Sequence, residues 1–378
     1  MRDLEDDLRR LRQEIADTAK VSTETVRRAV AGARRRRVAT LFAAAGGAIV
    51  LVSTGTLAAQ AVLDERVVPA PPAAADASPD RANVMSTVDL EGAVGITSSS
   101  GDVWITTWSD GCESALWRVE GAQPDHVATF PFAADELVWG FGSIWIEGME
   151  CPEGGELGKG VLYRVDPTTG ARLAVITTPY PELFGLAADS NAVWVGTSKD
   201  LSEGRVLRVD PVANELLAEV PIDGRVMAVY TGEGSVWALV AGGSESGVVR
   251  IDPTTNEVMA RVAPRAWGAA VGGGYLWAPT EATLGGMKVA ALRIDASTGK
   301  QVGDPIPLGD TTFLPVAADD TGVWFFAGRD GATLAHLSGE SEEVDQKVDL
   351  GASHALTGTF DVESGVIWAL DENAGRIT

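Results

Sequence analysis

Few groups in this 378-residue chain could do chemistry: two cysteines, three histidines and a surplus of carboxylates. Cys112 and Cys151 are too few for a zinc or iron–sulfur cluster. His126, His336 and His354 are isolated from one another, and no His-x-Glu or Glu-x-His pair occurs. The densest acidic run, in a loop expected from Glu147 to Gly160, holds Glu147, Glu150, Glu153 and Glu156 and ends in Gly158-Lys159-Gly160, which superficially resembles a phosphate loop. No glycine stands five residues before Gly158, and Gly160 takes the place of the required Ser or Thr, so the motif fails. With Asp110, Glu113, Asp135 and Glu136, this run forms an acidic surface that is either merely solvated or attracts a cation or basic partner. Thirty Lys and Arg against fifty-three Asp and Glu give a net charge of -23, which disfavours a nucleic acid partner. Nothing in the sequence calls for a cofactor.

The elements that position these groups fall in two unequal parts. Residues 1–37 carry eleven basic and seven acidic side chains, and the rest carries nineteen and forty-six, so the charge changes from +4 to -27 along the chain. Between them, 38–63 contains no charged residue, long enough to cross a bilayer as a helix, with Arg34 to Arg37 on one side and Asp64 and Glu65 on the other. Positive charge stays inside, which predicts a single-pass cell-membrane protein with a cytoplasmic amino terminus and an extracytoplasmic remainder. Ala59-Gln60-Ala61 also fits a signal-peptide cleavage site, although a charged leader of thirty-seven residues is long for one. Leu4, Leu8, Leu11 and Ile15 mark one stripe of a cytoplasmic helix, which either orients the anchor or docks a partner. Residues 64–82, with Pro69, Pro71, Pro72 and Pro79, read as an extended linker.

From residue 83 one unit recurs seven times, centred on Trp104, Trp145, Trp194, Trp237, Trp277, Trp324 and Trp368. A period of forty-odd residues with short strands predicts an all-β, seven-bladed propeller over 83–378. Third strands end in Val165-Asp166-Pro167, Val209-Asp210-Pro211, Ile251-Asp252-Pro253 and Ile294-Asp295, followed by turn residues such as Thr168-Thr169-Gly170. One Asp per turn does not supply a calcium site. The tryptophans are read as packing between sheets. The last unit stops at Arg376-Ile377-Thr378, and an orphan strand at 84–90 precedes the first, so the amino-terminal strand is expected to complete blade seven.

The unit "GSVWALVAGGSESGVVRIDPTTNEVMARV" at 234–262 and its six relatives resemble the YVTN/NHL-type propellers, in the membrane-anchored actinobacterial form, a group that includes virginiamycin B lyase-like proteins. The resemblance implies the propeller fold. It further implies, for lyase-type members, a catalytic His and nearby Glu on the loops of one face; here only His354 is suitably placed.

Cys112 lies eight residues after its Trp and Cys151 six after its own, so both occupy the loop between second and third strands of adjacent blades, where a disulfide is expected. Nine residues before each Trp stand Gly95, Glu136, Gly185, Ala228, Gly268, Pro315 and Thr359; Glu136 is the one charged residue, either pointing into the channel or displaced by a bulge. The face carrying the cysteine loops is the expected contact surface, with Glu136, Trp139, Trp108, Glu150, Trp267 and His354 as ligand-binding candidates. The preferred function is non-catalytic binding of a small molecule or protein; a lyase or lactone hydrolase, and a sensor signalling through the cytoplasmic helix, are the alternatives.

Overall fold

The computed structural model describes residues 84 and 86–378, except 110–111, 121–122, 152–157, 200–202, 243–245, 282–288, 310–313, 328–332, 351–356, 362–365 and 372–375. The expected cytoplasmic helix, membrane segment, linker and His354 lie outside the described residues.

Inner and second strands are read most directly from composition. Leu183–Ala188 and Val193–Ser198 are buried at every position, because each sheet packs between two neighbours and has no solvent face at its centre. Outer strands lose that cover: Glu215–Asp223 is exposed at most positions. Tight hairpins join inner to second strands. Ser100-Gly101, Phe141-Gly142, Glu233-Gly234 and Gly273-Gly274 each form a two-residue loop with both φ angles positive, the mirror-image turn whose twist matches that of paired strands. At the third-to-outer hairpin of blades two to five an Asp caps the chain, and in blade six Ser338 Oγ takes its place. Asp252 Oδ1 accepts the Thr254 and Thr255 N–H groups, at 2.7 and 3.2 Å, and the turn closes on Asn256 at φ 60°. The same bonds hold the Asp166, Asp210 and Asp252 carboxyls below the usual carboxylate range. Asp295, also bonded by the Ser297 and Thr298 hydroxyls, falls to about 2.

The result is seven four-stranded antiparallel sheets, with blades at 93–130, 132–177, 183–223, 225–262, 270–309, 314–349 and 357–377. Inner strands touch in succession round the ring, the last (Thr357–Asp361) meeting the first (Ala93–Ser99). The seventh sheet takes its outer strand from the amino-terminal side: Val88 pairs with Ile377 and Asp89 with Arg376, with the Asp89 carboxylate 3.2 Å from Arg376 Nε. The outer strand is Val88–Asp89, shorter than the expected 84–90. Antiparallel order then fixes two faces. The loop face carries the connections between blades and those between second and third strands; the turn face carries the two hairpin turns of each blade.

Trp145, Trp194, Trp237 and Trp277 are fully buried and Trp104 nearly so, each within an apolar cluster shared by adjacent sheets. A second repeated residue accompanies them. Directly opposite each of these tryptophans on the third strand stands an arginine, at Arg118, Arg164, Arg208, Arg250 and Arg293. The last four place their guanidinium 5.3 to 5.8 Å from the indole centroid. They then donate to the matching turn of the next blade, an Asp turn for the first three and the Ser338 turn for Arg293: Arg164 to Pro211 O and Asn214, Arg208 to Asn256, Arg250 to Ser297 O, Arg293 to Gly339 O and Glu342. Blade seven has no such turn, because its outer strand comes from the amino-terminal side. In blade six the position is His336, which bonds Asp345 at 2.7 Å and Thr321 at 3.2 Å within its own sheet.

Candidate functional site

Cys112 and Cys151 are joined, with Cα atoms 6.2 Å apart, so the expected disulfide links the loop-face loops of blades one and two. The second strand of blade two runs Ser143–Glu150, which corrects the expectation that its loop begins at Glu147. Glu150 is the last residue of the strand, its N–H bonded to Lys159 O at 2.9 Å; a side chain at Gly158 would collide with the Glu150 backbone, so only glycine lets the loop close there. Trp108 is the penultimate residue of the second strand of blade one, opposite Ser114, and its N–H reaches Gly92 O at 2.8 Å. Its indole N–H is buried and meets no acceptor among the described residues. Ser114 stitches the two blades, donating to Phe132 O at 2.9 Å and accepting from Ala134 N at 2.8 Å. Trp108, Glu150 and the disulfide therefore share one end of the ring, above a fixed seam.

Glu136 lies midway along the inner strand of blade two, inside a bulge. Asp135 and Glu136 together oppose Glu147, since Ala134 pairs with Gly148 and Leu137 with Ile146. Inner strands of blades one, three and four bulge at the same place and that of blade six two residues later, so the bulge is part of the repeat and does not remove Glu136 from its register. Its Oε2 accepts the Leu186 N–H of the next inner strand at 3.1 Å. Its charge also reaches blade four: the fully buried Tyr230 hydroxyl is raised above its ordinary range, first by burial and then by the Glu136 charge, against the Ala269 N–H bond. In blade seven Trp368 pairs with Thr359, nine residues back, whereas in the other six the partner is seven back; Thr359 thus does not match the positions it was aligned with.

Other candidates separate from this cluster. Trp139 stands one residue from the turn-face end of its strand and stacks on Trp104 at 5.1 Å, so it packs the seam between blades one and two. Trp267 precedes the inner strand of blade five and packs, half-buried, against the Leu314 and Val316 cluster of blade six. His126 lies exposed on the outer strand of blade one, bonded to Thr129, and His336 is the buried partner of Trp324.

Two features went unread in the sequence. Glu147 is fully buried two residues after Trp145, where other blades have Thr106, Gly196, Leu239, Pro279, Phe326 and Leu370; aligning second strands shows it. Arg225, at the start of the inner strand of blade four, pairs with Glu182 at 3.4 Å and covers the Phe184 ring at 4.5 Å. Glu182 and Arg225 stand twelve residues before Trp194 and Trp237, so the pair joins equivalent positions of adjacent blades. Among the described residues no group of three His, Cys, Asp or Glu side chains is arranged to hold a metal ion.

The chain matches no protein-family model and no curated protein sequence. It is similar in fold to solved propeller-containing structures. Kuenenia stuttgartiensis hydrazine synthase aligns at 13% identity and TM-score 0.59, over 81% of this chain and 98% of that one. A chain of the mitotic checkpoint complex aligns at 12% and 0.59, over 83% and 98%. The Neurospora crassa Pan2 WD40 domain aligns at 10% and 0.55, over 76% and 88%. At such identities the likeness is one of fold alone.

Proposed function

We propose that this protein is a membrane-anchored, extracytoplasmic propeller of the YVTN/NHL-like type that binds a basic partner, without transforming it, on the loop face of blades one and two. The Cys112–Cys151 bond carries this reading. It holds the short loop of blade one and the long loop of blade two in one relative position at the rim of the ring, which lowers the entropy lost when a partner orders them, and a structural disulfide suits an oxidising compartment. The reversal of charge across 38–63 supports the same orientation. Glu113 and Glu150 flank the clamp, and the 83–378 domain, of charge -25, draws cations toward it.

The test uses the full chain in neutral detergent and a fluorescent lysine decamer at low salt. The wild-type chain is expected to bind it, and the Glu113→Lys/Glu150→Lys variant to bind at least tenfold more weakly. Glu215→Lys/Glu257→Lys, on the outer strands of blades three and four, makes the same change in net charge and should retain most of the affinity. Absence of binding, or equal losses in both variants, defeats the proposal.

A further inference from the structure

Seven of the eight large hydrophobic side chains exposed among the described residues lie in one arc, on the outer strands of blades two, three and four and the turn of blade three. Val212 is 86% exposed, Met259 55%, Leu217 54% and Leu173 50%. Corresponding strand starts in blades one and six are Gln123-Pro124-Asp125 and Val344-Asp345-Gln346, which mix in charged and polar residues. Outer strands of blades three and four are neighbours and touch. All lie within the turn at 211–214 or the first four residues of a strand leaving the turn face. Such a patch on a soluble surface marks a contact.

The eighth exposed hydrophobe, Val84, indicates what is opposite. The outer strand of blade seven runs, like every outer strand, from turn face to loop face, so the chain arrives at Val88 from the turn face. Whatever precedes residue 84 meets the ring on the side where the apolar arc lies. Blades two to four are across the ring from blade seven. The expected linker, 64–82, spans about 60 Å if extended at roughly 3.1 Å per residue, too long to set height or tilt by itself.

We infer that the turn-face rim of blades two to four rests in the interfacial layer of the bilayer that 38–63 crosses, giving the ring a second attachment opposite its tether. This rests on the anchored reading above. The occupant is a neutral or zwitterionic lipid surface, because the domain's charge repels anionic headgroups.

The full chain is reconstituted in phosphatidylcholine nanodiscs with the photoreactive p-benzoylphenylalanine replacing Leu217, Met259 or, as control, the exposed Glu343 at the start of the outer strand of blade six. After irradiation, the Leu217 and Met259 variants are expected to carry at least tenfold more phospholipid adduct than the Glu343 variant. Equal adduct at all three sites, or chain-to-chain crosslinks in place of lipid, overturns the docking surface. An alkaline carbonate wash of membranes separates the two claims. Release of the wild-type chain overturns anchor and docking together; retention without adducts at Leu217 and Met259 overturns docking alone.

Discussion

An arginine facing a buried tryptophan has to satisfy its remaining N–H donors somewhere, and in this ring the nearest acceptors belong to the next blade. Arg250 shows the arrangement most plainly: Nε bonds Ser235 Oγ at 2.9 Å, the guanidinium lies over Trp237, and Nη1 reaches Ser297 O at 2.7 Å. A charged donor on a neutral acceptor contributes about 1.5–3 kcal/mol, and the ring contact about 0.5–2. Arg250→Met should therefore lower the melting temperature by several degrees, while Arg250→Lys, which keeps charge but not the fork, should recover only part of it. His336→Arg restores the repeat's residue in blade six and is expected to give no gain in melting temperature, because blade seven offers no turn to receive it. A clear rise measured by calorimetry would show that the indole contact alone stabilises. The arginines are visible in the third-strand sequences, yet their reach into the neighbouring blade has no local signature, since each acceptor lies 46 to 50 residues away.

Strands and loops explain which features were legible beforehand. The Trp period gives the blade count because one large side chain per sheet is needed to fill the gap between neighbours, and the missing strand of the last unit gives the closure. Register was harder. Inner strands bulge ahead of the Trp partner in five blades, and in blade seven the offset grows from seven to nine, so counting back from Trp368 lands on the wrong position. A bulge depends on pairing with a strand ten or more residues on, which residue types alone do not display. Glu147 was assigned to a loop because its neighbours are acidic; burial between blades two and three comes from strand pairing that extends to Glu150. The disulfide acts at this same scale. With the cysteines 39 positions apart in sequence, the chain-entropy model assigns the bond about 4 kcal/mol, less any strain. Cys112→Ser/Cys151→Ser should lower unfolding free energy by up to that amount and weaken binding of the lysine decamer. Unchanged binding with lowered stability would restrict the bond to a structural role.

At the level of the whole ring, stability depends on a joint made by both chain ends. Arg376–Ile377 pairs with Val88–Asp89 on one side and Val366–Asp371 on the other, so this two-residue strand connects the tether side of the chain to the sheet. Two contributions are separable there. The Asp89–Arg376 ion pair is largely exposed, its partners 77% and 41% accessible, and an exposed pair is worth at most about 1 kcal/mol. Ile377 is fully buried with Val88, Leu90 and Leu370 at the junction of blades seven and one, so removing it opens both a sheet and an inter-blade core. Arg376→Ala should then shift the melting temperature by no more than a few degrees. Deleting residues 376–378 should lower it far more, in a single transition if the ring unfolds as one body, and should expose 84–90 to proteolysis while the remaining blades are still folded at room temperature. Comparable effects from the two changes would mean that the ion pair closes the ring, and a deletion without effect would mean that blade seven needs no partner from the amino-terminal side. If the tether is as proposed, force from the membrane enters the molecule at this joint, and the apolar rim across the ring relieves it by holding the other side.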